Sequence, residues 1–459
     1  MKRIFCALIA AVICLSGCGS GDTPQTEEQK IHISMSFWEP GAENELKSAF
    51  TQIAEDYASV RPDVEIELLV QPVQKYNDWL TERCAESDMP TIIYNEKANL
   101  IKMDRARLIY RLDDALRTAD RFQNNEIWAD TFDEDKLRYT VDINGKTGLA
   151  IPLSALGLAV YYNMDIYRAN GLKTPQTWSE FLKNCEVIEQ SGVNPISFMA
   201  QKRDAVNWLQ WVLCTNAFGR KFLGDKAINT DGDNVISQEE MAYAVDSGAY
   251  DVTKEPYKSI YRQYLIMVGQ YAKYAHNAEG LDEDGAKEQF INGRSAHLFT
   301  GSWELKNILK NPDIGFEVGV MPFPVFTSED SAYGGERMTI RTASCLAVTK
   351  MKNSDGTTPE QEAAVDFLKF LPSVEEYRKY AGNTGTVSTV KGVGQREELD
   401  AFAGTIPSIE MFSMGRSEWA YNVTLRAIAG YIDVDDPGVY ELAQKSNREF
   451  AHNYISVRR

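Results

Sequence analysis

The sequence is poor in the residues on which many enzymes and metal proteins depend. It has four histidines in 459 residues, and none stands in an HExxH pattern or near a cysteine at zinc-ligand spacing. It also has no GxSxG motif and no GxxxxGKS/T phosphate loop. The segment KGVGQRE from Lys391 has only two of the three glycines of a dinucleotide motif. These absences argue against the common hydrolases and nucleotide-dependent enzymes.

Positive charge is scarce as well. The chain has 48 lysines and arginines against 66 aspartates and glutamates, which gives a formal net charge of −18. A nucleic-acid binder needs a basic footprint, so this balance argues against that class, although it does not exclude a local basic pocket for an anionic ligand. Because carboxylates are plentiful, a glycosidase that works with two acids remains an alternative.

No apolar run near the N-terminus is long enough to span a bilayer as a helix. The run from Ile4 to Leu15 has 12 residues, whereas a spanning helix needs about 20. A basic start at Lys2 and Arg3, followed by this short apolar core and small residues, is typical of a secretory signal. We predict a signal peptide over residues 1–17, whose removal leaves 442 residues, enough for two domains.

The segment LSGC, Leu15 to Cys18, resembles the lipobox of bacterial lipoproteins. In that family the signal is cut before the cysteine and the cysteine carries lipid, so the resemblance implies a lipid anchor on Cys18. Residues 18–30 contain glycine, proline and polar side chains with nothing to pack, which favours a tether. The alternative is an ordinary secretory signal with an incidental cysteine.

Closely spaced cysteine pairs are absent from the rest of the chain. Beyond the predicted anchor stand Cys84, Cys185, Cys214 and Cys345, far apart and without a CxxC motif. This spacing excludes a zinc ribbon and a thioredoxin-type motif. We predict that these four are mostly buried thiols, with disulfides as the minor alternative.

Hydrophobic periodicity predicts an α/β protein. Apolar residues alternate in IHISMSFW from Ile31, recur at helical spacing from Leu46 to Tyr57, and alternate again from Val64. A strand, a helix and a strand within about 40 residues form a βαβ unit, which implies a parallel sheet. MPTIIY and LGLAVYYN predict further strands, and Asn144-Gly145 predicts a hairpin before the second of them.

Three segments carry the signature of a helix start. TWSE from Thr177 and TPEQ from Thr358 are capping boxes, and SVEE from Ser373 fits the same pattern. Pro359 stands at the first helical position, where proline is favoured. Helices therefore outnumber strands in the second half of the predicted structure.

Four stretches together resemble one protein family. The first combines a glycine-lysine hairpin, a proline strand, a Tyr-Asn-x-Asp corner and a Pro-x-Thr-Trp helix start. The others are a segment ending in a small-residue turn and tryptophan, the strand after it, and a late helix pair. In this sequence they are Asn144–Phe181, Glu288–Trp303, Gly319–Val325 and Glu360–Tyr380. In this order, behind a lipobox, they resemble the carbohydrate-type extracellular solute-binding lipoproteins of bacterial ABC importers, which are similar to maltose-binding protein.

The resemblance implies a two-lobed, periplasmic-binding-protein-like α/β fold with three hinge crossings. The crossings would lie near Ile151–Leu156, Leu298–Ser302 and Thr339–Leu346. The N-terminal lobe would hold residues 31–151 and 302–340, and the C-terminal lobe residues 152–301 and 341–459. Bending about the crossings would close the lobes around a ligand.

A sugar exposes C–H groups on its faces and hydroxyls around its rim. A rigid aromatic ring covers a face at low entropic cost, while carboxylates and amides bind the rim. Trp38 and Glu39 end the first predicted strand, and Tyr94, Asn95 and Glu96 end another. Open α/β sheets bind ligands at such strand ends, so we predict that these five residues bind the ligand. The alternative for Trp38 is a role in the core or a lid.

The resemblance adds further candidates for the pocket. They are Trp208, Trp303, Glu304 and Trp419. By the same resemblance Trp211 would pack inside. Trp178 belongs to a capping box and is predicted to be structural, and Trp79 and Trp128 have no motif and are predicted to serve packing.

A glycine pair stands near the third predicted crossing. Gly334 and Gly335, with Glu336 and Arg341 nearby, would let the backbone approach a ligand. A flexible loop is an equally good interpretation of the same residues.

The segment NTDGDNVISQEE resembles the twelve-residue EF-hand loop. Asparagine at its first position removes a charge, and Asn234 replaces the glycine of the family, although asparagine tolerates the left-handed conformation better than most residues. We expect a structural calcium site here, with an acidic surface turn as the alternative, and no required cofactor. The ligands would be Asn229, Asp231, Asp233, the carbonyl of Val235, and Glu240.

These observations predict a monomeric, lipid-anchored binding protein on the extracytoplasmic side of the cell membrane. It would capture a carbohydrate, in particular an oligosaccharide, and deliver it to ABC permease subunits without chemistry of its own. A polyamine remains the main competing ligand, because aromatic rings with acids suit a cation. An anion or a peptide also stays open as the ligand, and a secreted glycosidase stays open as the function.

Overall fold

The computed structural model describes residues 30–39, 45–140, 146–230, 232, 236–335, 340–350, 356–384, 386–394, 397, 399 and 418–456. For residues 135, 340–343 and 418–420 it describes the backbone alone. The predicted signal peptide, the lipobox and the Asn144-Gly145 hairpin lie outside these residues. In the described ranges no helix combines the length and apolar character needed to cross a membrane.

The described residues form both strands and helices, with runs of consecutive helices in the second half of the chain. The strands are β1 (Ile31–Glu39), β2 (Val64–Pro72), β3 (Ile92–Asn95), β4 (Ile109–Tyr110), β5 (Ala119–Asp120), β6 (Glu126–Ile127), β7 (Ile151–Asn163), β8 (Asn194–Ser197), β9 (Ser295–Gly301), β10 (Val318–Pro322) and β11 (Ile340–Thr349). The helices are α1 (Glu45–Val60), α2 (Tyr76–Glu86), α3 (Lys97–Arg105), α4 (Glu134–Arg138), α5 (Met164–Ala169), α6 (Trp178–Gln190), α7 (Arg203–Leu223), α8 (Gln238–Asp246), α9 (Tyr257–Lys273), α10 (Glu283–Ile291), α11 (Leu305–Leu309), α12 (Pro359–Phe370), α13 (Val374–Thr384), α14 (Glu418–Ile428) and α15 (Pro437–Ser456).

The βαβ unit predicted at the start of the chain is confirmed. β1 pairs in parallel with β2 on one side and with β3 on the other. Ile33, Met35 and Phe37 on one face of β1 are buried, as a period of two requires. β11 pairs antiparallel with β3 and β7, which gives the order β2-β1-β3-β11-β7. This sheet and the helices packed on it form the first lobe.

β7 belongs to two sheets. Its residues 151–157 pair with β11, whereas residues 158–163 pair with β9 and β10. β8 extends the second sheet by pairing in parallel with β9. With 13 residues, β7 exceeds the usual strand length of about 3–10, so one strand passes from the first lobe into the second.

The predicted assignment of residues 302–340 to the first lobe is wrong. Leu305, Ile308 and Phe323 belong to the apolar core of the second lobe. β9 pairs with β7 up to Gly301, and α11 follows without leaving that lobe. The apolar side of α11 thus continues the core beneath β9, and the chain makes no crossing at Leu298–Ser302.

The segment from β11 to α13 packs in the first lobe, although the sequence predicts the second. The ring of Tyr380 stacks on Phe50 with centroids 5.7 Å apart, and Phe367 meets Tyr57 edge to face at 5.1 Å. The Tyr57 hydroxyl also donates to a carboxylate oxygen of Asp366 at 2.8 Å. Helices α12 and α13 therefore cover β1 and α1, and this part of the predicted lobe boundary is wrong.

After α13 the chain passes β7 and returns to the second lobe between Val393 and α14. Val387 forms a β-bridge with Ala155 of β7, and α14 and α15 pack on α7, α8 and α9. Two crossings lie in the described residues, β7 and the entry into β11, because Val390 and Val393 still belong to the core of the first lobe. These two crossings coincide with the crossings predicted at Ile151–Leu156 and Thr339–Leu346.

Helix caps follow the sequence closely. Thr177 and Thr358 form the predicted capping boxes with Glu180 and Gln361. Helix α13 begins one residue after Ser373, as its pattern predicts. The buried thiols are also as predicted, since Cys185, Cys214 and Cys345 are buried and form no disulfide, whereas Cys84 is partly exposed.

His297 on β9 is a fully buried histidine. Its Nδ1 lies 2.7 Å from the carbonyl oxygen of Pro195, and its Nε2 lies 2.7 Å from the hydroxyl of Tyr167. A neutral ring satisfies both contacts by donating to the carbonyl and accepting from the hydroxyl. Burial lowers the pKa of His297 to about 4, although the bond to the Pro195 carbonyl favours the charged ring.

This burial predicts a loss of stability in mild acid. An unfolded histidine has a pKa of about 6.5, so between about pH 6.5 and pH 4 the unfolded chain binds a proton that the folded chain excludes. We expect the free energy of unfolding to be about 2 kcal/mol lower at pH 5 than at pH 7 from this group alone. Urea unfolding at both pH values measures this difference in the free energy of unfolding. His297→Gln should flatten the difference, whereas His276→Gln at an exposed site should not. An unchanged difference in His297→Gln would contradict the assignment.

Candidate ligand-binding site

A cavity of about 550 Å³ lies between the two lobes. Its walls come from strand ends of the first lobe and from α7 and the β9–α11 turn of the second, and β7 and β11 cross its floor. The volume falls within the range of about 300–1,000 Å³ that small-molecule sites occupy. The aromatic residues that line it are Trp38, Tyr94, Trp208, Trp211, Trp303 and Tyr380.

Trp38 and Tyr94 form the aromatic wall of the first lobe. They lie near the C-terminal ends of β1 and β3, which are neighbouring parallel strands, and this pairing brings the two side chains together. Their rings meet edge to face with centroids 4.5 Å apart, and Tyr76 meets Trp38 at 5.2 Å. Burial raises the pKa of Tyr94 to about 12, so the hydroxyl stays protonated at neutral pH.

Trp208 and Trp303 form the aromatic wall of the second lobe. Trp208 lies on α7 and Trp303 follows β9, and their rings meet edge to face with centroids 4.9 Å apart. The Trp303 indole lies directly on the backbone of Gly301, where an added Cβ would come within 1.9 Å of the ring. Both indoles pack with one side on the core of the second lobe. Each is therefore a rigid surface that needs little ordering when a ligand arrives.

Carboxylates stand beside the first wall. The two oxygens of Glu39 accept hydrogen bonds from the backbone N–H groups of Leu46 at 3.4 Å and Lys47 at 2.9 Å, at the start of α1. Burial raises the pKa of Glu39, and these backbone bonds oppose the rise. A carboxylate oxygen accepts more than one hydrogen bond, so Glu39 can still meet a ligand hydroxyl. Glu96 lines the cavity at its exposed rim.

Two predicted ligand-binding residues do not line the cavity. Asn95 is buried beneath the turn after β3, where its amide group bonds to Asn77 at 3.2 Å and its oxygen accepts from the Glu96 backbone at 2.8 Å. Glu304 is buried behind Trp303, where it pairs with Lys287 at 2.6 Å. Both residues support the cavity wall from behind. A position at a strand end, or next to a pocket residue, predicts where the backbone lies but not where the side chain points.

The third predicted tryptophan of the second lobe stays a prediction. Trp419 lies in the first turn of α14, but its side chain is outside the described part of the structure. Trp128 and Trp178 are buried, in accord with their predicted packing roles. Trp79 is partly buried beside Tyr76 and does not line the cavity.

Sequence reasoning missed several residues of the cavity. Asp204, Asn207 and Trp211 share one face of α7 with Trp208, and all four line it. Trp211 is buried, as expected, yet it also contributes to the wall. Their spacing of three and four residues is a signal that could have identified this face. Tyr380 reaches the cavity from α13, and no local pattern distinguishes it.

The glycine pair before β11 has a packing role. A Cβ on Gly334 would lie 2.3 Å from the backbone oxygen of Phe326, and Gly335 adopts a φ of +115° near Arg220. Neither glycine lines the cavity. The close approach predicted here is therefore to the protein's own backbone, while Glu336 and the Arg341 side chain lie outside what the structure describes.

Glu240, one of the predicted calcium ligands, caps the start of helix α8. One of its oxygens accepts from the Thr230 backbone at 2.6 Å and the other from the Ser237 backbone at 2.9 Å, and Ser237 and Glu240 form the capping box of α8. Asn229 is likewise held, since its amide donates to the Leu223 carbonyl at 2.9 Å. Both described candidates thus make hydrogen bonds to protein groups within the loop and at the start of α8.

Calcium binding by this loop stays a prediction. Asp231, Asp233 and Val235 lie outside the described residues, and within the described ranges no cluster of three or more metal-binding side chains is found. Calorimetric titration of calcium into chelator-treated protein tests it. If about 1 mM calcium produces no heat and no thermal shift, a calcium site with the affinity typical of extracellular modules is excluded.

Known proteins resemble this chain in sequence and in fold. A "Multiple sugar-binding protein" of Streptococcus mutans is 21% identical over 385 residues, which cover 83% of this chain and 80% of the relative. The structure of the solute-binding protein RafE in complex with raffinose matches with a TM-score of 0.65 at 16% identity, over 92% of this chain and all of that one. A chitin oligosaccharide binding protein matches with a TM-score of 0.66 at 18% identity, over 92% and 99% of the two chains.

These structural matches confirm the predicted two-lobed α/β fold. The family model for bacterial extracellular solute-binding proteins matches residues 52–403, more than half of the chain. Proteins of this family bind solutes outside the cytoplasm, which confirms the prediction of a binding protein rather than an enzyme. On this match, the chain belongs to the bacterial extracellular solute-binding protein family.

Proposed function

We propose that this protein captures a carbohydrate of several sugar units between its lobes and delivers it to the permease of an ABC importer. The observation that carries the proposal is one cavity with an aromatic wall on each lobe. Trp38 and Tyr94 supply the first wall, and Trp208 and Trp303 supply the second. Walls on both lobes let a single ligand hold the lobes together.

The chemistry of the lining suits a sugar. Indole faces cover the C–H faces of sugar rings, and the remaining polar groups meet the hydroxyl rim. Glu39 on the first lobe and Asp204 and Asn207 on the second lobe supply acceptors and an amide donor at the cavity. A mainly apolar lining with a few polar groups is the composition expected of such a site.

The relatives support the same ligand class. The curated relative is named for binding multiple sugars, and the two structural relatives are named for raffinose and for chitin oligosaccharides. Since their identities to this chain lie between 16% and 21%, they support a class of ligand and not an individual sugar.

Capture would act through the hinge. β7 and β11 form the cavity floor and connect the lobes, and Lys306 of α11 pairs with Glu45 of α1 across the cleft. A ligand that contacts both walls binds the closed arrangement more tightly than the open one, and therefore shifts the equilibrium toward it. The closed arrangement is then the form that a permease recognises.

We also propose that a lipid on Cys18 holds the protein at the outer face of the membrane as a monomer. The support is the LSGC segment behind a short apolar run. Expression with radiolabelled palmitate should label the wild type, and Cys18→Ser should release unlabelled protein into the medium or periplasm. Equal labelling of both proteins would exclude this attachment point.

A polyamine is the second candidate ligand. Glu39, Glu45, Glu96 and Asp204 all line the cavity, and carboxylates with indole faces favour a cation. Glu45 already pairs with Lys306, and Lys202 brings a positive charge to the same cavity. The acidic lining is thus partly used by the protein itself, which places the polyamine second.

A thermal-shift screen tests both candidates. The panel is raffinose, maltotriose, triacetylchitotriose and xylotriose, with spermidine as the polyamine. A ligand at 100 times its dissociation constant stabilises the protein by about 2.7 kcal/mol, so a binding sugar should raise the unfolding temperature by several degrees. A shift with spermidine alone would overturn the carbohydrate assignment. Recovery of the bound sugar unchanged separates binding from glycosidase activity.

A further inference from the structure

Four charged side chains form a chain of ion pairs behind the Trp208–Trp303 wall. Lys202 pairs with Glu283, and Lys287 pairs with Glu283 at 3.1 Å and with Glu304 at 2.6 Å. Of the four, only Lys202 lines the cavity. The other three lie outside the cavity lining, so this chain of ion pairs supports the wall and does not form its surface.

The two ends of this chain attach to the two segments that carry the indoles. Lys202 directly precedes α7, and its ammonium lies 5.1 Å from the ring centroid of Trp208. Glu304 directly follows Trp303. Glu283 and Lys287 lie one turn apart on α10 and connect those ends. Helix α10 thus bridges elements that are about 100 residues apart in sequence.

The pairs are sufficiently enclosed to hold a fixed geometry. Glu304 is 6% exposed, and Asn307 donates to its second oxygen at 3.4 Å. Burial alone would raise the pKa of Glu283 and lower that of Lys287, but their partners reverse both shifts. A buried carboxylate is strongly unfavourable without its cation, so Glu304 restricts where Lys287 can lie, and Lys287 restricts Glu283.

The indole pair needs such a support. Trp208 and Trp303 come from a helix and from a turn after a strand, and no secondary structure fixes the 63° between their rings. Trp303 is located by its contact with Gly301, whose carbonyl oxygen accepts from the Tyr161 hydroxyl at 2.9 Å. That contact fixes one ring relative to β9 but leaves its relation to α7 open.

We propose that Lys287 is a positioning residue for ligand binding, which fixes the angle between Trp208 and Trp303 by holding Glu283 and Glu304 together. Lys287 does not contact the ligand. The expected effect of Lys287 on ligand binding depends on the proposed function. Its expected effect on the angle between the two indoles does not depend on that function.

Circular dichroism of the ligand-free protein tests the structural half. Two indoles in edge-to-face contact couple, so the signal that is lost from the wild-type spectrum on Trp208→Phe contains the contribution of the pair. Lys287→Met should lose most of that signal, and Lys287→Arg, which keeps the charge, should retain it. The control is Lys183→Met, which breaks an exposed pair with Glu186 and should change nothing. A full pair signal in folded Lys287→Met overturns the proposal.

The four sugars of the screen test the binding half. We expect Lys287→Met to raise the dissociation constant about tenfold for any sugar that stabilises the wild type, through misplacement of the wall. Unchanged affinity would overturn this half. If no sugar stabilises the wild type, the proposed function fails while the dichroism result stands. If Lys287→Met does not fold, Glu283→Gln breaks the same chain of ion pairs at a more exposed residue. The dichroism of the indole pair and the sugar affinity then test the proposal in that variant.

Discussion

Replacing Trp303 with alanine should raise the dissociation constant of the captured sugar about 100-fold, the effect of removing a central aromatic anchor. The indole packs on the core with one side and meets Trp208 edge to face. Its truncation removes the surface on which a sugar face would stack, and it also leaves Trp208 without its neighbour. Isothermal titration with the sugar identified in the screen measures the change.

Trp79→Ala is the matched control for this experiment. Trp79 is a partly buried tryptophan of α2 that contacts Tyr76 and Arg83 and does not line the cavity. Its removal should leave the dissociation constant within about threefold of the wild type. A Trp303→Ala protein that folds normally and binds as tightly as Trp79→Ala would show that the aromatic wall does not bind the sugar.

Replacing Trp178 with alanine should lower the free energy of unfolding by about 4 kcal/mol, the usual effect of truncating a buried tryptophan. Trp178 is 1% exposed and packs against Phe181, Phe323 and Phe326 with centroids between 5.1 and 5.9 Å. Its Nε1 donates to the side-chain oxygen of Gln270 at 3.0 Å. The change would leave a large cavity where α6 meets the strand-loop segment after β10. Urea unfolding measures the loss.

Trp178→Phe separates the packing from the hydrogen bond. It keeps a ring among the three phenylalanines and loses the donor to Gln270, so it should lower the stability by about 1–2 kcal/mol. Sugar affinity should stay unchanged, because Trp178 does not line the cavity. A Trp178→Ala protein less than about 1 kcal/mol below the wild type would contradict the packing role.

Local elements of the fold could be predicted from the sequence because their causes are local. The alternation in IHISMSFW became β1, and the capping boxes at Thr177 and Thr358 became the starts of α6 and α12. At Glu240 the same logic allows two roles, because a carboxylate three residues after Ser237 fits both a capping box and a calcium loop. The capping box is present in the folded structure, and the calcium loop stays a prediction.

The site was predictable to the extent that strand ends define it. Parallel strands bring their C-terminal ends to one edge, so Trp38 and Tyr94 had to be neighbours. Asn95, next to Tyr94, points into the turn instead, because successive residues of a strand face opposite sides. Tyr380 was not predictable, since it reaches the cavity from a helix more than 280 residues further along the chain.

The sequence by itself determined the order of strands and helices, their caps and the parallel start of the first sheet, because each depends on neighbours within a few residues. Only the tertiary structure decided which lobe α11, α12 and α13 belong to. An amphipathic helix specifies that one face is buried but not against which core, and Leu305 and Phe367 would suit either interior. The ion pairs from Lys202 to Glu304 were decided in the same way, by helix α10 packing between two distant segments.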